Sequence, residues 1–250
     1  MMRTGSQRDP LIVDGRTGVV LDGMHRRATL QSLGARFAIC AEFDYLDSTI
    51  KLARWVRYLI APGANVLKEL ISKLQLKGPI RLTDAIRKVN SKESAIALLS
   101  RDLSYVAEAG ISFQPPERIW ESAFEKTKLF DSICQASDET IEFAPDSELD
   151  ELFASTSVFV LYYARLDKKV ILELAKRRMV LPFKTTRHIL PLRPMGINFP
   201  LNDLLDSSES VCEKKLESIV KGSVLRLEKR SILYEGRRYK EPLAIFERKK

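Results

Sequence analysis

The sequence predicts an α+β fold made of two domains and a charged C-terminal extension, and three observations carry that reading. The chain opens on two short β-rich runs joined by a glycine-bearing turn, followed by a helical pattern and a third apolar run. Its middle alternates amphipathic helical stretches with short apolar segments. Val158 to Tyr163 is almost wholly apolar, as a strand inside a sheet must be. At 250 residues with 45% hydrophobic content, the chain can fill one large core or two small ones.

Each element follows from local chemistry. Leu11-Ile12-Val13 and Val19-Val20-Leu21 form a hairpin around Asp14-Gly15-Arg16-Thr17-Gly18, whose glycines permit a tight turn. After Asp22-Gly23, the spacing of Ala28, Leu30 and Leu33 is helical, and Gly34 stands where a helix C-terminus needs left-handed backbone. Phe37 to Phe43 returns to a strand. An apolar stretch from Ile50 to Leu59 carries Trp55; Pro62-Gly63 breaks it, and Val66 to Leu74 reads as an amphipathic helix. Thr83 is the expected N-cap of a short helix through Val89. Ala95 to Leu99 and Leu103 to Ala107 are expected strands, and Pro115-Pro116 with Glu117 opens a helix to about Ser137. Asp167 caps a helix through Arg178, and Lys184 to His188 is placed on a loop between Pro182 and Pro191. Ser207 to Val220 is helical and charged, and Val224 to Phe246 holds a hairpin at Glu235-Gly236, a tail read as a solvated edge or partner surface.

Composition narrows the class of ligand. Lys and Arg number 41 against 33 Asp and Glu, a formal net charge of +8, which favours phosphorylated ligands, nucleic acid or acidic surfaces. The signs are mixed along the chain, so a small anion accounts for the charge as well as DNA does. Cys40, Cys134 and Cys212 match no metal-ligand or redox spacing and read as reduced, packed thiols of a cytoplasmic protein. No metal site is expected. No apolar run approaches the roughly 20 residues of a membrane helix.

The chain has two histidines, and each sits in a polar cluster: Asp22-Gly23-Met24-His25-Arg26, and Lys184-Thr185-Thr186-Arg187-His188. Imidazole titrates nearest neutrality, and beside Arg and hydroxyl groups it suits proton transfer or the handling of phosphate and carboxylate. The first cluster lies at a helix N-terminus, where unsatisfied N–H groups and the helix dipole favour an anion.

The segment PLIVDGRTGVVLDGMHRRATLQSLGARFAICAEFDY, from Pro10 to Tyr45, resembles the ParB/sulfiredoxin fold, whose members set a nucleotide phosphate at the helix after a DGHHR-like turn. The segment PFKTTRHILPLRP, from Pro182, resembles the PKTTRHVLP motif of the free-serine kinases. Trp55 stands where that family carries its substrate-side Trp, after a DY dipeptide matched by Asp44-Tyr45. The resemblance spans about Leu11 to Leu205. It implies a ParB/sulfiredoxin-like nucleotide-binding domain over residues 1–60, a second mixed α/β domain over 61–206 with the KTTRH motif, and the extension over 207–250.

The resemblance implies a phosphotransferase of archaeal type acting from ADP or ATP, with Mg²⁺ carried by the nucleotide, on free L-serine to give O-phosphoserine. Gly23, Met24, His25 and Arg26 would cradle phosphates, Asp22 and His25 would act in catalysis, and Arg187 would take the amino acid carboxylate. Thr185, Thr186 and His188 would complete that pocket, with Trp55 as its wall. Two positions depart from the pattern. Met24 replaces the first of two usual His, and the family's catalytic Glu, expected before the hairpin, has no counterpart because the first Glu here is Glu42; the expectation is a chain that begins at an internal Met. Two other readings compete: a nucleotide-responsive DNA-binding regulator of ParB kind, which nanomolar sequence-dependent DNA binding would favour, and a serine or nucleotide sensor without turnover, which loss of the Glu would favour.

Overall fold

The structure, a computed structural model, describes residues 5–107, 118–154 and 157–248. The chain divides into two compact units, residues 1–51 with 188–250, and residues 52–187. These limits do not coincide with the domain boundaries expected after residues 60 and 206. The chain leaves the first unit just as a long strand begins and re-enters it inside another strand, so neither crossing carries the Pro, Gly or Ser composition that marks a linker.

The N-terminal part of the first unit contains β1 (Ser6–Gln7), β2 (Leu11–Asp14), β3 (Val20–Asp22), α1 (Met24–Ser32) and β4 (Cys40–Phe43). The central strand β2 is buried along its whole length, antiparallel to β3 and parallel to β4, with α1 as the crossover. The hairpin turn is held by Asp14, whose carboxylate accepts from the Thr17 hydroxyl at 2.5 Å and the Thr17 amide at 3.1 Å. A further bond comes from the Tyr45 amide at 3.1 Å. Burial pushes the Asp14 pKa up, but these hydrogen bonds and the charge of Arg16 outweigh it, so the carboxyl lies below its ordinary value. Helix α1 starts on Gly23 at φ 99° and stops before Gly34 at φ 74°, both left-handed conformations that glycine adopts without strain. The strand expected from Phe37 begins only at Cys40.

The second unit contains β5 (Lys51–Ile60), α2 (Ala64–Lys73), β6 (Leu76–Ile80), α3 (Leu82–Asn90), β7 (Ile96–Leu99), β8 (Ser104–Ala107), α4 (Arg118–Ala136), β9 (Glu142–Pro145), α5 (Leu149–Leu152), β10 (Val158–Tyr163), α6 (Lys168–Lys176) and β11 (Thr186–Ile189). The sheet order is β11-β5-β10-β7-β8-β6, with β9 also pairing to β5. The apolar run Val158 to Tyr163 is interior, as expected, antiparallel to β5 and β7. Helix α4 buries Ile119, Trp120, Ala123, Phe124, Thr127, Phe130, Ile133 and Cys134, a stripe at helical spacing. The expected opening of that helix at Pro115-Pro116 and Glu117 lies outside the described residues. Two details differ from expectation. Arg81, in extended backbone, caps α3, and Thr83 lies inside its first turn beside Asp84, whose charge serves the helix end instead. Thr186, Arg187 and His188 sit in β11 and not on a loop, because the β-branched pair Thr185-Thr186 runs into an apolar stretch that the sheet edge accepts.

The chain returns to the first unit through β12 (Arg193–Met195), β13 (Phe199–Pro200), α7 (Leu201–Asp206), α8 (Glu209–Gly222), β14 (Ser223–Glu228), β15 (Ile232–Tyr234), β16 (Arg237–Tyr239) and β17 (Leu243–Arg248). Strand β13 pairs with β1, tying this part to the N-terminal one. A core of Leu30, Ile39, Ile197, Phe199, Leu204 and Cys212 joins α1 to α7 and α8. The expected hairpin is β15–β16, with Glu235 at φ 47° and Gly236 at φ 77°, the backbone of a tight type I′ turn. The tail is nevertheless more than a solvated edge. Leu243, Ala244 and Ile245 of β17 are buried between β12 and β14, since strand β17 is central in its sheet.

The cysteines separate by environment. Cys40 is exposed on β4, against the expectation of three packed thiols, because β4 is an edge strand whose alternate residues face outward. Cys134 is fully buried on α4, and burial, helped by Asp131 and Glu139, pushes its thiol up to about 12. In mildly alkaline buffer a thiol reagent should therefore modify Cys40 in the native protein and leave Cys134 intact until denaturant is added. Equal modification of both in native protein, read by peptide mass mapping, would contradict this packing.

Candidate functional site

The first unit gathers one group of sequence-flagged residues around a cation that the sequence reading missed. Arg193, at the start of β12, is buried. Its Nη1 donates to Asp22 Oδ2 at 2.6 Å, its Nε to Glu241 Oε1 at 2.9 Å and its Nη2 to the His188 carbonyl at 2.9 Å. Burial alone pulls the guanidinium pKa down, but Asp22 and Glu241 more than compensate, so it lies above its ordinary value. Asp22 and His188, which are 166 positions apart in the chain, are thereby fixed on one side chain. His188 is buried, and its Nε2 lies 2.9 Å from the Tyr45 hydroxyl, the rings meeting edge to face at 5.3 Å. Burial, with the Asp14 charge added, pushes the Tyr45 pKa far up, so its phenol stays protonated at any working pH. Asp14 in turn holds the Tyr45 amide. One connected polar path thus runs from the hairpin turn through Tyr45 and His188 to Arg193, Asp22 and Glu241.

Gly23 to Arg26 form the beginning of α1, as the motif requires. Gly23 is the N-cap, with no side chain capping the first-turn N–H groups. Met24 and His25 are exposed there. Arg26 points back along its own unit: its Nη2 donates to the Pro10 carbonyl at 3.1 Å, and Nη1 stands 4.0 Å from Asp9. Space at Gly23 is tight. A Cβ would meet Leu11 Cδ2 and Arg26 Nη2 at 2.8 Å each.

The second unit holds Trp55, Thr185, Thr186 and Arg187. The Arg187 guanidinium lies 5.2 Å from the centroid of the Trp55 ring, and Lys184 lies 5.5 Å from the same ring and 4.2 Å from that of Phe143. Arg187 is buried. Trp55 on β5 and the β11 segment are fastened by Tyr163, whose hydroxyl is shared between the carbonyls of Trp55 at 2.6 Å and Thr185 at 2.8 Å. Full burial drives the Tyr163 pKa far up and keeps that donor protonated. Arg57, fully buried on the same face of β5, donates to Asp131 at 2.8 Å and to the Phe183 carbonyl at 2.5 Å, fixing where the 184–187 segment starts. The Thr185 hydroxyl is spent locally on the Pro182 carbonyl at 2.6 Å; Thr186 is half-buried. Chemically, this is a planar cation held against an indole within an aromatic cluster, suited to a carboxylate-bearing small molecule.

Arg193, Glu241, Tyr163 and Arg57 were not singled out beforehand, and Tyr45 was noted only as half of a DY dipeptide. A buried Arg and a surface Arg look the same in a charged tail, and only Arg193's place inside PFKTTRHILPLRP hinted at its role. Replacing Arg193 by Ala should destabilise the first unit by about 3 to 5 kcal/mol, because buried Glu241 and half-buried Asp22 would both lose the guanidinium they accept from. The Arg193→Ala Glu241→Gln pair should recover a large part of that loss. Chemical denaturation of the three proteins measures both, and a loss under 1 kcal/mol in the single variant would mean the triad is not a stability element.

No protein-family profile matches the chain. It is 28% identical over 190 residues to the ADP-dependent L-serine kinase SerK of Thermococcus kodakarensis, covering 74% of this chain and 73% of the relative. It is 26% identical over 205 residues to an ATP-dependent L-serine kinase of Staphylothermus marinus, covering 78% and 77%. Among solved structures, free serine kinase in complex with AMP superposes with a TM-score of 0.66 at 26% identity, over 81% of this chain and 82% of that one. SbnI from Staphylococcus aureus shares the α+β fold with a TM-score of 0.65 at 15% identity, over 88% and 84%. Similarity in sequence and in fold thus runs through most of the chain and converges on one group of proteins, the free serine kinases.

Proposed function

We propose that this protein transfers a phosphoryl group from ADP or ATP to the hydroxyl of free L-serine, giving O-phosphoserine. The observation that carries the reading is the buried Arg187 set against Trp55 inside the KTTRH segment, in a chain that aligns over three-quarters of its length with L-serine kinases. An amino acid carboxylate requires such a two-donor fork, and an indole face suits the small body of serine. A DNA-binding surface has no use for a buried cation of this kind.

In the reaction, the bond between the terminal phosphorus and its bridging oxygen breaks, a P–O bond to serine Oγ forms, and the hydroxyl proton passes to a base. Such transfer depends mainly on positioning and charge neutralisation. The first-turn amides after Gly23, with His25, supply donors for the phosphates, and Arg26 adds positive charge behind them. Asp22, one-third exposed with Oδ2 on Arg193, orients the acceptor hydroxyl or a water. Arg187 holds the carboxylate, with Thr186 and His188 completing the polar lining and Thr185 shaping the backbone. The family resemblance assigns the base to a Glu before the hairpin, a position without a counterpart here, where the first Glu is Glu42. Mg²⁺ brought by the nucleotide would neutralise phosphate charge, and Asp22 is the carboxylate beside the helix N-terminus that would hold it. No described helix is long and apolar enough to cross a membrane, and the use of dissolved serine and nucleotide supports reading the protein as cytoplasmic.

Titration calorimetry separates the two ligands. His25→Ala, at an exposed position, should weaken ADP or ATP binding at least tenfold, about 1.4 kcal/mol. Gly23→Val is a poorer probe, since its Cβ would collide with Leu11 and Arg26 whatever the ligand does. Arg187→Lys should cost serine recognition about 2 to 4 kcal/mol and leave nucleotide affinity alone, because an ammonium lacks the planar fork. Equal serine affinity in wild type and Arg187→Lys would remove the amino acid pocket.

The excess of positive charge should serve small anions. Affinity for random duplex DNA at physiological salt should be no tighter than roughly 10⁻⁴ to 10⁻⁶ M and should fall steeply as salt rises. Nanomolar binding that depends on DNA sequence would favour a ParB-like regulator instead.

A further inference from the structure

The second unit contains a cavity of about 490 Å³ lined by Arg54, Asn90, Lys92, Tyr162, Arg165 and Asp167, together with Ala164. It is distinct from the Trp55–Arg187 cluster. Neighbouring residues of a strand project to opposite faces, so Arg54 lies across the sheet from Trp55. The antiparallel register that pairs Leu161 with Arg57 likewise sets Tyr162 and Tyr163 on opposite faces. The pocket therefore uses none of the residues assigned to serine.

Its charge is unbalanced. Arg54 and Arg165 share a single buried carboxylate, Asp146, at 3.3 Å and 2.8 Å. One arginine would satisfy that acid, and the second leaves a net positive charge in the wall. Lys92 faces Asp167 at 3.9 Å, both well exposed, a contact too long and too hydrated to hold the ammonium in place. Arg54 is rigid: its guanidinium lies 3.9 Å from the centre of the Tyr162 ring and donates to the Tyr163 carbonyl. Arg165 engages Asp146 through Nε and Nη2 while its side chain stays 64% exposed, so its outer edge is turned to solvent. The Tyr162 hydroxyl donates to Asn90 Oδ1 at 3.2 Å, which presents the Asn90 amide N–H groups as donors. Asp167 begins the nine-residue α6 without a side-chain cap bond, so the positive end of that helix adds to the same field.

We propose that this pocket is a second ligand site, taking the oxyanion group of a small phosphorylated or carboxylated metabolite on Arg165, Lys92 and the Asn90 amide, over the fixed charge of Arg54. Its volume is ample for a ligand of amino-acid size. The site stands apart from the kinase reading and does not depend on it.

The test is nuclear magnetic resonance titration of the full chain with inorganic phosphate and, separately, acetate, following the Arg Nε–H and Asn side-chain signals. Saturable shifts at Arg54, Arg165 and Asn90 are expected. The Lys92→Ala Arg165→Ala variant, altered only at exposed positions, should bind the probe at least tenfold more weakly while its ADP affinity is unchanged. A tighter response to phosphate assigns a phosphate monoester, and a tighter response to acetate assigns a carboxylate. Shifts confined to Gly23–Arg26, shifts that never saturate, or equal affinity in the double variant would overturn the site. Failure of serine or nucleotide binding in the calorimetry would leave this result standing, so the two proposals fail separately.

Discussion

Arg193 is the constraint on which the first unit depends. A buried guanidinium is tolerated only when its donors are met, and here they are met by one residue from the hairpin, Asp22, one from the end of the KTTRH motif, His188, and one from the tail, Glu241. Three stretches far apart in sequence must therefore be present together before any of them is stable. This explains why the charged tail folds back into the unit. It supplies the second carboxylate, and Met195, Tyr239, Leu243 and Ile245 close apolar surface around it. Hydrophobic residues of similar size would pack with less loss of solvation, but they would not orient the aspartate that immediately precedes the N-cap of α1.

The second unit solves a similar problem with a strand. Alternation along β5 sends Trp55 and Arg57 to one face and Arg54 to the other, so one strand serves two polar environments with the sheet between them. Tyr163 makes the arrangement rigid on the Trp55 side. Its single hydroxyl proton is shared by two backbone carbonyls, one in β5 and one immediately before β11, which fixes the separation of Trp55 from the 185–187 segment more firmly than apolar packing does. Arg57 repeats the device at the Phe183 carbonyl, and the aromatic pair Phe143 and Phe183, at 5.7 Å, fills the space around it.

Much of this was legible in the sequence, and what was not shares a cause. The hairpin, α1 between its two glycines, the interior strand at Val158 to Tyr163, the helix after Asp167 and the Glu235-Gly236 turn depend on local periodicity and on φ preferences, which a sequence carries openly. The two polar motifs were visible because each packs several chemical groups into five residues. Arg193, Glu241, Tyr45 and Tyr163 were not visible, because their roles exist only through partners between 5 and 171 positions away. The unit boundaries escaped for the same reason. A strand that begins in one unit and ends in another has no composition of its own.

The positive charge of the chain also reads differently once it is located. Among the described residues four arginines, Arg54, Arg57, Arg187 and Arg193, are buried, three of them against carboxylates and one over an indole. A buried guanidinium beside a carboxylate adds nothing to the long-range field that draws in a polyanion; its charge is cancelled within a few ångströms and acts as local structure. Such a pair contributes nothing to the net charge either, so the excess of +8 lies on other side chains. The cationic features described above are local: an uncapped helix N-terminus, one arginine held on a tryptophan and a pair of arginines sharing one aspartate. Each is matched in scale to a single anionic group and not to a phosphate backbone, which is why the arrangement of the cations, more than their number, argues for small anionic ligands.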